Sequence, residues 1–464
     1  MRDPYPHQMD ALLYCQEHRH AALFLEMRLG KTKVAINALQ YHGTNLVVAP
    51  LSVLYTWQAE LLAEGIDPEK AVLLEGPVQN RLNTAEACLA LEGTKGNEWE
   101  EPFWCLTNYE TLRLAPAIAT LPWYGVVLDE SSKIRNPGRR VRDSKQGGYR
   151  RAGQTTDVCL AGFRNVQRRF ILTGLPAPES PLDYFNQLAF LDGTFMGCSN
   201  FWQFRAKYFI LIERAYKWYP RKGVREKIRE EIQARCFVLN RQQVGMANQR
   251  IYETREVEPS PDQVRLLKQA KREFAVTVNG ETRKTQWAIV VANWMNQISG
   301  GTLANTVVGE GKTKELVDLL TGELADQQVV VWFRFNSELW AVRSAVMAKG
   351  IRCELVLGEV PPEERNRWCQ QFSKGEFTVL LVQLKCGKFG LDLSAASTAI
   401  YYSNGFSHED RAQSEDRIEH PRKREPLLFV DLVTRGSTDR TVLSLLKQKV
   451  SAGKFFYEKV LGSI

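Results

Sequence analysis

The chain has 464 residues, of which 44% are hydrophobic and 25% charged, with a formal net charge of +8. This length exceeds one ordinary hydrophobic core, so we expect two or three domains of a soluble protein. Nine scattered cysteines without a CxxC pair argue against a disulfide scaffold and a zinc site, and no apolar run is long enough for a membrane span or signal core. We therefore expect a reducing compartment, the cytoplasm or, in a eukaryotic cell, the nucleus.

The first informative element is an apolar strand predicted at 21–25, which passes through Gly30-Lys31-Thr32 into a helical pattern at 33–39. A loop that leads into a helix directs backbone N–H groups and the positive end of the helix dipole at one place, where Lys31 adds a full charge. The hydroxyl of Thr32 would lie where Mg²⁺ on a nucleoside triphosphate binds. This segment predicts a site for ATP or GTP.

The match to the phosphate-loop pattern is partial, because Leu25 stands where GxxxxGKT has its first glycine. A bare Gly-Lys-Ser/Thr tripeptide also occurs by chance in roughly one chain in four of this length, given average composition. Support for a nucleotide site has to come from other segments.

Further along, short apolar strands alternate with helical patterns in two runs. In the first run they are predicted at 46–49, 71–74, 103–107, 125–128 and 170–173, and in the second at 329–333, 353–356, 379–382, 399–402 and 427–432. Apolar strands separated by helices are typical of parallel sheets covered on both faces. We predict an α/β fold with a first lobe at 1–192, a charged, helical region at 193–301 and a second lobe at 302–464.

Two acids, Asp129 and Glu130, follow the strand predicted at 125–128. In open α/β sheets ligands bind beyond the carboxyl ends of the strands. Asp129 would hold Mg²⁺ through water, and Glu130 would orient and deprotonate the attacking water. Taken alone, the pair is equally consistent with an ordinary helix start; together with Lys31 in the same lobe it predicts a nucleoside triphosphatase.

Positive charge is concentrated between residues 131 and 170, where eleven lysines and arginines face two aspartates, a net charge of +9. Such a segment can meet nucleic-acid phosphates, or it can be a solvated surface loop. Ser52 and Thr107 precede helical patterns, where backbone N–H groups can bind phosphate oxygens without recognising base sequence.

These segments form an ordered series that resembles the Swi/Snf-like family of helicase superfamily two over more than 400 residues. In the first lobe the resemblance lies in an adenine-reading element (6–8), the phosphate loop (26–32), two DNA-tracking motifs (47–54 with Trp57, and 106–111), a DEAH-type box with its basic continuation (129–136) and a coupling motif (172–176). In the second lobe it lies in the fifth (387–393) and sixth (413–418) motifs.

The resemblance implies two RecA-like parallel-sheet lobes, helical protrusions between them and a C-terminal brace helix. It implies a DNA-dependent ATPase that uses ATP and Mg²⁺ and translocates on double-stranded DNA, which it contacts mainly through the phosphate backbone. We expect a minimal motor form, with no membrane association and with targeting supplied by a protein partner, by the basic loop or by DNA structure.

The resemblance also assigns roles to residues of this chain. The catalytic group would be Lys31, Asp129, Glu130 and Arg417, with Arg417 as an arginine finger that reaches across the cleft. ATP-binding residues would be Gln8, Arg28, Leu29, Gly30, Lys31, Thr32, Lys33, Gly390, Asp392, Arg417 and His420, and Thr32 and Asp129 would hold Mg²⁺. DNA-binding residues would be Ser52, Thr107, Asn108, Lys133, Arg135, Arg139, Arg140, Gly387 and Lys388, and coupling residues would be Thr173, Gly174 and Gln413.

Three positions depart from the family pattern. Arg28 stands where glycine is usual, Ser132 replaces the histidine of the DEAH-type box, and His420 occupies the place of a second arginine finger. Histidine is largely neutral at pH 7 and has no guanidinium group. Either Arg417 suffices, or Arg422 or Lys423 substitutes, or turnover is slow. Two other functions therefore stay open, a strand-separating helicase on DNA forks or RNA hybrids and an ATP-gated DNA clamp or scaffold.

Overall fold

The computed structural model describes residues 3–40, 43–93, 101–137, 139–142, 149–152, 154–177, 180–212, 217–420 and 423–447. The chain divides into two compact units between Gly245 and Met246. All nine cysteines are free and buried. Within the described residues, no helix combines the length and the apolar character that crossing a membrane requires.

The first unit contains eleven strands in the described part of the chain. They are β1 His20–Leu25, β2 Asn45–Ala49, β3 Ala71–Leu73, β4 Trp104–Asn108, β5 Gly125–Asp129, β6 Arg139–Arg142, β7 Tyr149–Ala152, β8 Arg168–Leu172, β9 Phe209–Ile212, β10 Lys217–Pro220 and β11 Cys236–Leu239. Seven of them form a parallel sheet in the order β11-β1-β8-β5-β2-β4-β3, and the pairs β6-β7 and β9-β10 are antiparallel hairpins.

Helices of the first unit cover this sheet. They are α1 Pro6–Glu17, α2 Lys31–Leu39, α3 Leu54–Ala63, α4 Val78–Gly93, α5 Tyr109–Leu114, α6 Gln154–Gly162, α7 Tyr184–Asp192, α8 Phe201–Tyr208 and α9 Val224–Arg235. The central strands are buried along nearly their whole length because helices pack on both faces, which explains their continuous apolar sequences.

The second unit is built around a six-stranded parallel sheet in the order β12-β21-β20-β17-β19-β18. The described strands of the whole second unit, including four that lie outside this sheet, are β12 Arg250–Val257, β13 Ala275–Val278, β14 Glu281–Lys284, β15 Thr302–Leu303, β16 Thr306–Val307, β17 Val329–Phe333, β18 Cys353–Val356, β19 Val379–Gln383, β20 Thr398–Tyr401 and β21 Leu427–Thr434. Its helices are α10 Pro261–Glu273, α11 Ala288–Ser299, α12 Gly311–Thr321, α13 Asn336–Ala348, α14 Pro362–Ser373 and α15 His408–Ile418.

Alternate residues of the second sheet enter two separate cores. Val329, Val331 and Phe333 of β17 belong to one core, while Val330 and Trp332 belong to the other. A strand has a side-chain period of two, so this division shows that both faces of the sheet are covered.

The predicted α/β fold with two parallel-sheet lobes is confirmed, and each predicted sheet strand is present within one or two residues of its expected ends. The edge strands β11 and β12 were missed. β12 mixes charged and apolar residues, as in Arg250-Ile251-Tyr252-Glu253, and lacks the apolar run of a central strand. Both edge strands fall in the predicted helical region at 193–301, which also contains two hairpins. The three-part domain division stays a prediction, and part of the proposed brace helix, 448–464, lies outside the described residues.

Candidate functional site

The phosphate loop has the expected geometry. Gly30 caps α2 with a left-handed backbone, φ +80°, and the helix begins at Lys31. The Lys31 ammonium donates hydrogen bonds to the carbonyl oxygens of Leu25 at 2.9 Å and Glu26 at 3.3 Å. The loop therefore curls around this charge at the N-terminus of α2, with Thr32 in the first helical turn.

Helix α1 lies against this loop through Gln8. The side-chain amide of Gln8 donates to the Leu29 carbonyl at 3.3 Å, and His7 Nε2 lies 3.2 Å from the same oxygen. A Cβ at position 30 would lie 1.9 Å from Gln8 Nε2, so Gly30 is required by close approach as well as by its φ angle. The structure thus places Gln8 beside the phosphate loop; its contact with adenine stays a prediction.

Asp129 is the last residue of β5 and is buried. Its Oδ2 accepts a hydrogen bond from Trp57 Nε1 at 2.8 Å, and its Oδ1 accepts one from the backbone N–H of Glu130 at 2.9 Å. Burial raises the pKa of the Asp129 carboxyl, while the Trp57 hydrogen bond and the Lys31 charge oppose that rise. Lys31 and Asp129 therefore act on each other electrostatically within one site, as the sequence predicts.

Asp129 and Thr32 carry carboxylate and hydroxyl oxygens, which are ligands of the kind that Mg²⁺ prefers. Each Asp129 oxygen accepts one hydrogen bond from the described residues, and an ionised carboxylate offers about four lone-pair sites. The donor set of Asp129 and Thr32 is thus compatible with the ion. Glu130, which follows, has a left-handed backbone, φ 52°, and precedes the 3-10 helix Ser131–Ile134.

The predicted coupling motif lies between these two elements. Strand β8 is hydrogen-bonded between β1 and β5, so Thr173 emerges between the phosphate loop and Asp129. The Thr173 hydroxyl accepts from the backbone N–H of Leu175 at 3.1 Å. A Cβ at Gly174 would lie 3.3 Å from the backbone nitrogen of Met27, so this glycine packs directly on the phosphate loop.

The Lys33 side chain forms an ion pair outside the phosphate loop, and its contact with ATP stays a prediction. Its ammonium forms an ion pair with Glu64 at 2.8 Å, and the Glu64 carboxylate also accepts from Asn37. Since its charge is engaged in tying α2 to the end of α3, only its backbone N–H belongs with the phosphate loop.

The predicted DNA-binding residues of the first unit differ in accessibility. Ser52 lies in the 3-10 helix Leu51–Val53 that precedes α3, and Lys133 is exposed. Thr107 is buried in β4, and the side chain of Asn108 accepts from the Thr111 N–H at 2.9 Å as the cap of α5. The binding of DNA phosphates at Thr107 and Asn108 stays a prediction. Arg135 follows the same 3-10 helix as Lys133 and is half-buried.

In the second unit the fifth and sixth motifs are in contact. Arg417, on α15, donates from Nε to the Gly387 carbonyl at 2.7 Å, and its own carbonyl accepts from the Leu393 N–H at 3.2 Å. Gly390 has φ +71°, and Asp392 accepts from the Ser394 N–H at 3.1 Å. The structure therefore brings together the residues predicted at 387–393 and Arg417.

Helix α15 is anchored by ion pairs between acids of the sixth motif and arginines outside it, Arg411 and Arg250, which the sequence analysis did not single out. Arg411 is buried and pairs with Asp431 on β21 and Glu415, each at 2.6 Å, and Arg250 on β12 pairs with Glu415 and Asp416. These ion pairs hold the helix that carries Gln413 and Arg417 on the sheet. Gln413 Oε1 is buried and accepts no hydrogen bond from the described residues.

A second Gly-Lys-Thr, residues 311–313, also opens a helix, α12. Its lysine is buried, pairs with Asp439 at 2.8 Å and donates to the Tyr402 carbonyl at 2.9 Å. Gly311 is the first helical residue and has no positive φ. Lys312 is therefore a structural lysine that fastens α12 inside its own unit.

Residues 311–420 match the family described as "Helicase conserved C-terminal domain". The chain is 23% identical over 467 residues to "Probable ATP-dependent DNA helicase CHR12" of Arabidopsis thaliana, covering 92% of this chain and 39% of that protein. It is 20% identical over 486 residues to "SWI/SNF chromatin-remodeling complex subunit snf22" of Schizosaccharomyces pombe, covering 93% and 27%.

Over most of its length the chain is similar to Swi/Snf-like proteins of helicase superfamily two, and part of its second unit matches a helicase C-terminal domain. Its fold is shared with the helicase domain of Hef from Pyrococcus furiosus, at 12% identity and a TM-score of 0.52, with 96% of this chain and 98% of that chain covered. The chain spans less than half the length of the curated relatives named above.

Arg28, which stands where the Swi/Snf-like pattern has glycine, has an unusual backbone conformation. Arg28 has φ 66°, a left-handed conformation that glycine adopts freely and that costs other residues about 1 to 2 kcal/mol. The loop has thus kept the conformation of a glycine position while acquiring a cation.

At the other departures, Ser132 is buried and accepts the Arg135 N–H through its carbonyl, so it forms part of the 3-10 turn. Lys423 donates to the carbonyls of Ser394 at 2.8 Å and Ala396 at 2.6 Å. Its ammonium is engaged within its own unit, which disfavours Lys423 as a substitute for the second finger. Arg422 lies outside the described residues.

Proposed function

We propose that this Swi/Snf-like chain is a DNA-dependent ATPase that translocates on double-stranded DNA. ATP would bind at Lys31, with Mg²⁺ held by Thr32 and Asp129, and Glu130 would orient the attacking water. Arg417 would complete the site from the second unit, so that hydrolysis is coupled to closure of the two lobes and to remodelling of DNA or protein-DNA complexes.

The observation that carries this proposal is that three predicted site residues lie at the carboxyl ends of neighbouring strands. Lys31 follows β1, Thr173 follows β8 and Asp129 ends β5, and these three strands are neighbours in a parallel sheet. Their carboxyl ends therefore share one edge, where the Lys31 charge acts on the Asp129 carboxyl. Bound Mg²⁺ would supply charge neutralisation of the transferred phosphoryl group.

Duplex binding is supported by an arginine-rich hairpin that follows the DEAH-type box. The register of β6 and β7 places Arg140 opposite Arg151 and Val141 opposite Arg150. Both strands of this hairpin carry arginines, a residue type that binds nucleic-acid phosphates. A two-stranded ribbon has the width of the DNA major groove, so we assign the hairpin to phosphates that border a groove.

The decisive experiment compares ATP hydrolysis without nucleic acid and with single-stranded DNA, duplex DNA or RNA, alongside Lys31→Ala and Glu130→Gln. Stimulation by duplex in the unaltered chain and loss of turnover in both variants are expected. Stimulation by RNA alone would overturn the proposal.

The hairpin has its own test in the salt dependence of duplex binding. The double variant Arg140→Gln, Arg151→Gln should reduce the magnitude of the slope of log affinity against log salt by about 1 to 2. Each phosphate contact that is lost means that fewer counterions are released when the chain binds duplex DNA. Arg367→Gln, an exposed arginine outside the predicted motifs, is the matched control. An unchanged slope in the double variant would remove the hairpin from the DNA interface.

Two alternatives are separated by further assays. A strand-separating helicase would unwind forks or RNA hybrids, whereas a duplex translocase displaces a triplex strand without unwinding. An ATP-gated clamp, suggested by His420, would bind DNA with little turnover. His420→Arg should raise the hydrolysis rate if the missing guanidinium limits it; an equal or lower rate would show that the site operates with histidine.

A further inference from the structure

Asp129 is contacted by both segments that are predicted to follow the DNA. Trp57, on α3 just after the segment with Ser52, donates its indole N–H to Asp129 Oδ2 at 2.8 Å. Tyr109, the first residue of α5 and the neighbour of Asn108, donates its hydroxyl to the Asp129 carbonyl at 2.7 Å. Both aromatic residues are buried.

Sheet order explains why two separate segments reach one residue. β2 pairs with β5 on one side and with β4 on the other, all parallel. Ala49 is in register with Asn108, and Val48 is in register with Leu128, which directly precedes Asp129. The carboxyl ends of the three strands therefore lie side by side. Helices α3 and α5, which follow β2 and β4, each contribute an aromatic residue, Trp57 and Tyr109, that donates a hydrogen bond to Asp129.

We propose that Trp57 and Tyr109 are positioning residues that fix Asp129 for Mg²⁺ and transmit DNA binding at the two segments to the metal site. This inference rests on the proposed function. Trp57 restricts one carboxylate oxygen, and Tyr109 fixes the backbone from which the carboxylate extends. A shift of α3 or α5 on binding phosphate would move a hydrogen-bond donor of Asp129.

Residues that orient a metal ligand typically change metal affinity or activity 10- to 100-fold when they are replaced. We therefore expect Trp57→Phe to reduce the effect of Mg²⁺ on ADP affinity by about 10-fold, while ADP affinity in EDTA is unchanged. The duplex stimulation of hydrolysis should fall in the same variant. Tyr109→Phe should act in the same direction, with a smaller effect because it does not touch the carboxylate.

The first unit contains matched control residues for the indole lost in Trp57→Phe and for the hydroxyl lost in Tyr109→Phe. Trp123 is buried and donates its indole N–H to the Ile118 carbonyl at 2.7 Å, and Tyr208 donates its hydroxyl to the Met196 carbonyl at 3.0 Å. Trp104 is fully buried, and its indole nitrogen has no hydrogen-bond partner among the described residues. Trp123→Phe and Tyr208→Phe control for a lost hydrogen bond, and Trp104→Phe controls for lost ring volume.

The experiment titrates a fluorescent ADP analogue into the full chain with Mg²⁺ and with EDTA, then measures hydrolysis with and without duplex DNA. A loss of the Mg²⁺ effect in Trp57→Phe that none of the controls shows supports the proposal. If Mg²⁺ changes ADP affinity by the same factor in Trp57→Phe as in Trp104→Phe, the positioning role of Trp57 is overturned. If Trp57→Phe does not fold, Tyr109→Phe carries the test, since it removes a single oxygen atom.

The two proposals fail in different ways. If the unaltered chain shows no DNA-stimulated hydrolysis, the proposed function is wrong, but the ADP titration still tests whether Trp57 positions the metal ligand. If the unaltered chain is stimulated by duplex and Trp57→Phe keeps both the Mg²⁺ effect and the stimulation, only the positioning role is wrong.

Discussion

The two units each contain Gly-Lys-Thr at the start of a helix, yet the two lysines are used differently. Lys31 follows a left-handed glycine, is held by two carbonyls of its own loop and acts on a buried carboxyl at a strand end. Lys312 is buried in an ion pair with Asp439. A tripeptide therefore becomes a phosphate site only when the preceding backbone curls around it and an acid at a neighbouring strand end faces it.

Close packing of glycines does not separate the two tripeptides. A Cβ at Gly309 would lie 2.1 Å from Gln263 Oε1, and a Cβ at Gly30 would lie 1.9 Å from Gln8 Nε2. The backbone does separate them, because Gly30 has a left-handed φ of +80° and Gly311 has no positive φ.

The largest expected difference between the two lysines is in the rate of ATP hydrolysis. Lys31→Ala should lower ATP hydrolysis by at least about 100-fold, because a preorganised charge on the transferred phosphoryl group is removed. Its urea unfolding midpoint should change little, since the hydrogen bonds from its ammonium to Leu25 and Glu26 lie within the loop itself. Full hydrolysis by Lys31→Ala would mean that the phosphate site is elsewhere.

Lys312→Met should act on stability. Removing one partner of a buried ion pair costs about 3 to 5 kcal/mol, and Asp439 would be left without its cation. Urea unfolding should show the loss, and combining the change with Asp439→Asn should recover part of it. Unchanged stability with lost hydrolysis would instead make Lys312 a nucleotide residue.

A pH effect is expected beside Lys312, at Glu338. Burial raises the pKa of this carboxyl to about 7, although the Ser403 hydrogen bond and the Lys312 charge oppose the rise. Because the folded pKa lies above the unfolded value, the stabilising contribution is complete below about pH 4.5 and is lost as the pH rises through 7. Between pH 5 and 8 the wild type should lose up to about 3 kcal/mol that Glu338→Gln does not lose.

Urea unfolding at several pH values measures this difference. Glu359→Gln, at an exposed position, should follow the wild-type profile. Parallel profiles for wild type and Glu338→Gln would show that the buried carboxyl does not titrate in this range.

The smallest contrast is between the two glycines. Gly30→Ala places a side chain at φ +80° and against Gln8, so it should weaken ADP binding by about fivefold or more, which corresponds to about 1 kcal/mol. Gly311→Ala lies within a helix and meets the Glu258 carbonyl at 3.0 Å, so it should leave ADP affinity unchanged. Equal losses in the two variants would remove the distinction between the two loops.

Local patterns were sufficient for most of the first sheet and for the core of the site. The apolar strands can be predicted from sequence because parallel strands buried on both faces have continuous apolar sequences. Once the strands are known, the site residues near their carboxyl ends, such as Lys31 and Asp129, can be predicted as well. The edge strand β12 could not be predicted in this way, because its sequence mixes charged and apolar residues.

The amino-acid sequence by itself determined the fold class, the order of the motifs and the polarity of the phosphate site. Only the tertiary structure decided which charges are engaged, because partners such as Glu64 for Lys33, Asp439 for Lys312 and Trp57 for Asp129 lie far apart in the chain. Residues 72 positions apart meet through the order of strands in the sheet, and no local pattern records that order.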